Sequence, residues 1–565
     1  MELPWRTARF FGSSNRSMVI LSVATLFSFL VLNLTPVRAA IQNTRDLFHS
    51  TNLLHLAIQI PEDGIQALRE SRGGRNPQAK TKAQATVADG GHVYTNVTVQ
   101  LKGFTTFQPI DGLPSLTLNF GKLAPKQRFH GLAKISLNNS LQDATRLHEK
   151  FAREMFAAAG VPVPRADYAV VTLNGRELGL YVLVEGYDKL FLKRHFKRTD
   201  GNLYEGGVLR DIDQPLRLNS GKSSSDHADV TRLIQAAEEP DPEKRWRALE
   251  AALDMDRFLS MMAIETMLCH SDSYSMNRNN YRLYHDPGTD KMIFMPHGMD
   301  RILGTHRSPL DLPAVPPAMG LIARAVLSTP EGRRRYVERA GMLFTNLFQP
   351  NRLCRRVREI DAKIVGVKTS QPADGRFDQY PNRDGAHDAD VLCDRITERA
   401  AQLKLQFGHV PDLLALALNP QFDADGVALL DGWKQKPRLG RPEALCETSA
   451  IDGKQIVHLQ SANGPLNAVL HTQVSLPSGR YRLIGPISVT DSRGGTNFVA
   501  TTMVRYSNAR FDIVRQRQIS KVIYFSFQVS HALTPEEIEF ICEIRSNASE
   551  VWFDANSLQL IQEHR

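Results

Sequence analysis

Ala133-Lys134-Ile135-Ser136-Leu137 alternates apolar and polar side chains, and Leu147 to Ala159 then sets Leu147, Phe151, Met155 and Ala158 on one helical face. Gly160 and Pro162 end that helix. Two more strand-like segments follow, Tyr168–Leu173 and Leu180–Val184, joined through Asn174-Gly175, a pair that tolerates positive φ and so favours a tight turn. Upstream, Leu53–Ile60, Ala85–Lys102 with its Gly90-Gly91 turn, and Leu116–Phe120 read as strands. Strands, one helix, then strands describe a mixed α+β lobe rather than a doubly wound parallel sheet.

Outward from this lobe, the pattern turns helical from Pro240 to Leu268. Strand-like pieces at Asn280–Tyr284 and Met292–Met295 flank Asp286-Pro287-Gly288-Thr289-Asp290, which reads as a Pro-Gly hairpin turn rather than a calcium loop. Residues 325–415 are mostly helical around a Pro/Gly/Asp-rich loop, Thr369–Ala386. Beyond Asn419 come short strands with Gly and Pro turns, including Leu466–Val474, Gly479–Val489 and Glu537–Arg545. That spacing predicts a separate all-β sandwich of the jelly-roll kind. The expected divisions are 1–40, 41–105, 106–350, 351–418 and 419–565.

The first of these divisions is a leader. Arg6, Arg9 and Arg16 precede an uncharged, largely apolar run from Met18 to Leu34, and Val37-Arg38-Ala39 supplies a small-residue cleavage pattern. Export is the expectation, with membrane anchoring by the same segment as the alternative. The 565 residues carry a formal net charge of +9 and are 42% hydrophobic, which excludes collagenous, wholly disordered and multi-span membrane classes. Basic runs such as Arg333-Arg334-Arg335 and Arg355-Arg356 are short. They read as solvated helix faces, not as a nucleic-acid surface. None of the five cysteines has zinc spacing; Cys354–Cys393 and Cys446–Cys542 are the expected disulfides, with Cys269 left over.

Phosphoryl transfer needs a lysine for nucleotide phosphates, an acid to hold that lysine, a carboxylate at the attacking hydroxyl, and Asn and Asp ligands for a divalent metal. Lys134, Glu149, the triplet His270-Ser271-Asp272, the cluster Asn277, Asn279, Asn280, and Asp300 occur in that order. Each has a plain structural reading as well. An edge-strand lysine is solvated, His-Ser-Asp caps a helix, and an Asn cluster suits a turn.

The stretch Phe129-His130-Gly131-Leu132-Ala133-Lys134-Ile135-Ser136-Leu137-Asn138-Asn139 resembles the CotH family of atypical kinases, spore-coat protein H-like proteins. So do Ala159-Gly160-Val161-Pro162-Val163-Pro164-Arg165, Gly179 to Glu185, Gly201-Asn202-Leu203-Tyr204 and Asn279 to Tyr284. The resemblance implies a divergent, two-lobed protein-kinase-like domain using ATP and Mg or Mn to phosphorylate protein hydroxyls. By carry-over, Asp272 is the catalytic carboxylate, Asn280 (with Asn277 the alternative) and Asp300 are metal ligands, and Lys134 and Glu149 serve the nucleotide. Where the family commonly reads Pro-Trp-Asp-Leu-Asp, this chain has Pro296-His297-Gly298-Met299-Asp300, one acid fewer. That departure makes an inactive binding or structural protein the alternative function. For the sandwich, a carbohydrate or protein ligand is expected, with Tyr481, Phe498, Tyr506 and Phe553 offered for stacking on sugars against the plainer reading of core packing.

Overall fold

The computed structural model describes residues 47–48, 50–71, 81–222, 227–304, 310, 312–367, 388–437, 444–451, 454–492, 498–507, 513–519, 522–529 and 536–563. The expected leader and the Thr369–Ala386 loop lie outside these residues.

The first unit contains β1 (Leu54–Gln59), α1 (Glu62–Arg69), β2 (Ala83–Ala88), β3 (Val93–Lys102), β4 (Ser115–Asn119), β5 (Lys134–Asn138), α2 (His148–Ala158), β6 (Ala166–Leu173) and β7 (Arg176–Glu185). Its strands form a closed barrel in the order β1-β2-β3-β4-β5-β7-β6, sealed by parallel pairing of β1 with β6. Alternate residues such as Ile58, Val87, Val99, Leu118, Ile135 and Leu183 point inward and fill it. The barrel runs across residue 105, where a division is expected from the sequence, because β3 and β4 pair antiparallel with Leu101 opposite Leu116.

Helices dominate the middle of the chain: α3 (Lys189–His195), α4 (Ala228–Glu238), α5 (Pro242–Ala252), α6 (Met255–Met267), α7 (Tyr274–Asn277), α8 (Leu321–Leu327), α9 (Pro330–Leu347), α10 (Pro350–Ile364), α11 (Asp388–Phe407) and α12 (Val410–Leu414). A small sheet lies among them, ordered β11-β10-β8-β9, from β8 (Leu203–Glu205), β9 (Arg217–Ser220), β10 (Tyr281–Asp286) and β11 (Lys291–Pro296). Helix α6 is apolar on nearly every face and buried from Phe258 to Met267, as the central helix of a core must be. Helix α2 packs into this same core through Phe151, Met155 and Phe156, so it joins the barrel to the helices.

Between Val427 and Glu563, three antiparallel sheets enclose one core around Trp433, Leu470, Leu483, Phe540 and Leu560. Tyr481 and Phe553 are fully buried there and Phe498 packs against the same core, so packing and not sugar stacking explains these rings. The side chain of Tyr506 lies outside the described residues. The chain enters this unit through Leu418, whose N–H donates to the Gln473 carbonyl at 2.9 Å and whose carbonyl accepts from Ser475 at 2.7 Å. Arg333 is fully buried and pairs with Glu537 of the β unit. It therefore departs from the solvated-face expectation, because its helix face meets the β unit. Arg335 pairs with Glu250 and Asp256, and Arg356 with Glu154 and Glu359.

All five cysteines are thiols in this structure. Cys446 lies on the strand Leu445–Ile451 and Cys542 on Glu536–Ser546, in different sheets, so that expected pair is not brought together. Cys354 and Cys393 do face each other, each Sγ lying 3.7 Å from the other residue's carbonyl oxygen.

Candidate functional site

The β10–β11 hairpin sets the site. Its register places Tyr281 opposite Pro296, and His297 N–H donates to the Asn280 carbonyl at 2.7 Å. The segment before β10, carrying Asp272, therefore lies beside the segment after β11, carrying Asp300. Leu303 N–H donates to the Leu268 carbonyl at 2.5 Å, and His270 Nδ1 lies 3.2 Å from the Arg301 carbonyl, fastening the two segments again. From the barrel side, His148 Nδ1 lies 2.9 Å from the Asp300 carbonyl oxygen, which brings the first turn of α2, and with it Glu149, to the same place.

Asparagine amides hold Asp272. Oδ1 accepts from Asn277 at 2.8 Å and Asn279 at 3.0 Å, while Asn280 donates to Oδ2 at 2.8 Å and to the Asp272 carbonyl at 2.9 Å. A carboxylate has about four lone-pair directions, so roughly one remains for a further donor. Asn277 Oδ1 is buried and has no hydrogen-bond partner among the described residues. Asn280 Oδ1, by contrast, packs against Gly298: a Cβ at that glycine would lie 2.4 Å from it, and the glycine φ is +59°. The missing acid and the close approach of Asn280 therefore go together.

Burial pushes the Asp300 carboxyl up to about 7, reinforced by the negative charges of Glu149 and Asp272. Asp300 itself is half-buried. Burial acts to raise Glu149 too, but Arg153 and Lys102 overcome it and hold that carboxyl below its ordinary value. Arg153 Nη2 donates to Glu149 Oε1 at 2.7 Å and Asn138 Nδ2 to Oε2 at 2.6 Å.

Lysine 134 is not the partner of Glu149. Its Nζ donates to the Tyr187 carbonyl at 3.2 Å, and burial lowers its pKa. Position explains this: Lys134 opens β5, whereas Asn138 closes that strand and is the residue that meets Glu149. The lysine that the structure brings to Glu149 is Lys102, at the end of β3. Its Nζ donates to Asn138 Oδ1 at 2.5 Å, so one asparagine links lysine and acid. Burial lowers Lys102 to about 8, with Glu149 and Asp300 opposing the fall. The sequence signal for Lys102 is its place before Gly103, whose φ is +108°, at the close of β3. For Asn277 the signal is its spacing, five residues after Asp272 in His270-x-Asp272-x-x-x-x-Asn277, that of a kinase catalytic loop.

A family model described as CotH kinase protein matches residues 114–403. This chain belongs to the CotH family. Inner spore coat protein H of Bacillus subtilis (strain 168) is 22% identical over 298 residues, covering 49% of this chain and 79% of that protein. Solved structures share smaller parts. A carbohydrate-binding module in complex with beta-1,4-galactotriose (12% identical, TM-score 0.17) aligns to 24% of this chain and 91% of that one. A Family 16 carbohydrate-binding module (17% identical, TM-score 0.17) aligns to 23% and 91%. Within this CotH member, two of the family-like motifs meet structurally: Arg165 and Arg194 both pair with the buried Glu185, at 3.1 and 2.7 Å.

Among the described residues, no group of three or more His, Cys, Asp or Glu gathers as a metal cage. The donors present nonetheless suit a hard cation shared with phosphate oxygens. The charges of Glu149 and Asp272 raise the cost of charging Asp300, and the Asn277 carbonyl oxygen lacks a partner among the described residues.

Proposed function

We propose that this CotH member is an exported kinase-like protein that binds ATP with Mg or Mn and transfers the terminal phosphoryl group to a hydroxyl of a protein substrate. The observation that carries the reading is the closeness of four charged groups: Glu149 and Asp300 act on Lys102, and Glu149 and Asp272 act on Asp300. Lys102, aligned through Asn138 and charge-balanced by Glu149, supplies a cation for nucleotide phosphates. Asp272, held by three amides with one lone-pair direction unfilled among the described residues, would accept the proton of a substrate hydroxyl. Asp300 and the Asn277 Oδ1 oxygen are the residues that would hold the metal ion, with Asn277 preferred over the expected Asn280. A bound divalent ion supplies neutralisation of phosphate charge. The basic, apolar and small-residue leader supports export.

Gly298 favours a second reading, a CotH member that binds without catalysing, since the site is one acid short of the common pattern. Titration calorimetry with ATP and Mg or Mn tests the proposal. Binding that is lost in Asp300→Ala, together with phosphate transfer to a hydroxyl-bearing protein, supports the enzyme. Binding without transfer selects the second reading, and no binding by the intact chain overturns both.

A further inference from the structure

Helices α10 and α11 bond to the elements that carry the site residues. On α10, Arg356 forks onto Glu154 of α2 at 2.7 and 2.9 Å, and Lys363 Nζ reaches both oxygens of Asp167 on β6 at 2.8 Å. Glu154 lies on the same short helix as Glu149. On α11, Arg395 donates to the Leu303 carbonyl at 2.5 Å. The fully buried Arg399 donates to the carbonyls of Thr266, Leu310 and Leu312 at 2.8, 2.8 and 2.6 Å. The Thr266 carbonyl lies in the last turn of α6, before Asp272, and the Leu310 and Leu312 carbonyls lie beyond Asp300 in the chain. One helix thus holds the Glu149 side and the other the Asp272 and Asp300 side.

The two helices are fastened to each other by Arg358 to Asp390 at 3.1 Å and by the reciprocal approach of Cys354 and Cys393, both buried. We propose that Cys354 and Cys393 are a dithiol–disulfide pair whose oxidised form locks this brace. The oxidant is a small-molecule or protein disulfide. One cysteine thiolate attacks it to give a mixed disulfide and release one thiolate of the oxidant. The second cysteine thiolate then displaces the other, so that two electrons leave the protein, one S–S bond forms and one breaks, and the two thiol protons pass to the departing thiolates. Burial pushes the Cys393 thiol up to about 12, so exchange is slow in the packed helices and proceeds as the chain folds. A closed bond there is equally shielded from reduction.

Two arms test the pair in the full-length chain equilibrated with reduced and oxidised glutathione: one native, one refolded from denaturant. Each is quenched in acid, alkylated and digested. The expected result, in either arm, is a cross-linked Cys354–Cys393 peptide lighter by two hydrogens, with Cys269 and Cys542 alkylated. Both cysteines alkylated in both arms, or cross-links to other cysteines, overturns the proposal. The lock is read separately: wild type refolded under oxidised glutathione should melt several degrees above wild type refolded under reductant. That shift should vanish in Cys354→Ser; an equal shift there overturns the lock. If Cys354→Ser does not fold, hydrogen exchange of the α10 and α11 amides in oxidised and reduced wild type replaces it, and unchanged exchange overturns the lock. None of these readouts requires nucleotide binding or phosphate transfer, so they stand apart from the kinase reading.

Discussion

Asp300 carries the site's electrostatic cost. Its folded pKa of about 7 lies above the ordinary 3.8. Between those values the folded chain keeps a proton that the unfolded chain has released, so stability falls as pH rises across that window. Metal-free protein should therefore have a higher thermal midpoint near pH 5 than near pH 8, and Asp300→Asn should flatten that slope. An unchanged slope would assign it elsewhere, as to Glu265, which burial also lifts to about 7. Lys102 and Lys134 can be separated by substitution. Hydrogen bonds to charged groups are worth about 1.5–3 kcal/mol, or about ten- to a hundredfold in affinity. Lys102→Met should cost that much in ATP binding, and Lys134→Met distinctly less, by calorimetry. Gly298→Asp should not restore a metal ligand: its Cβ would meet Asn280 Oδ1 at 2.4 Å on a positive φ. The expected outcome is a lower midpoint and weaker Mn binding than wild type. The sequence shows the missing acid, but not that Asn280 fills its space, because that contact depends on the hairpin register.

At the scale of elements, α6 was legible, since its apolar run from Phe258 to Leu268 is too long for an ordinary strand. What holds the loop after it was not. Glu265, inside that apolar run, accepts from Ser275 N–H at 3.2 Å and from the Ser275 hydroxyl, while Arg399 arrives from α11 to satisfy the carbonyls at the end of α6. Helix ends leave carbonyls without intrahelical partners, and here a buried guanidinium supplies the donors. Arg399→Met should destabilise the protein by about 2–4 kcal/mol, because several buried acceptors lose a charged donor at once. Urea unfolding followed by tryptophan fluorescence checks it, and a change below about 0.5 kcal/mol, the range of ordinary surface substitutions, would show that water replaces the guanidinium.

Over the whole molecule, the barrel closes by a parallel β1–β6 contact across more than 100 residues, and the β unit docks through Arg333 and Glu537. Breaking a buried ion pair costs roughly 3–5 kcal/mol; Glu537 retains some exposure, so about 2 kcal/mol is expected for Glu537→Ala. Scanning calorimetry should show the loss, and an unaltered trace would mean that the Leu418 backbone contacts suffice for docking. By itself the sequence determined the strand and helix order around Lys134, the family, the β-rich C-terminal unit and the apolar helix before Asp272, because hydrophobic period and turn residues act over a few positions. Only the tertiary structure decided that Lys102 replaces Lys134 beside Glu149, that Asn277 Oδ1 has no partner among the described residues, that Arg333 is buried, and that α10 and α11 bond to the elements carrying the site. These are choices between side chains of similar local pattern, made by which ends of strands and helices meet when the barrel closes and the hairpin register is set.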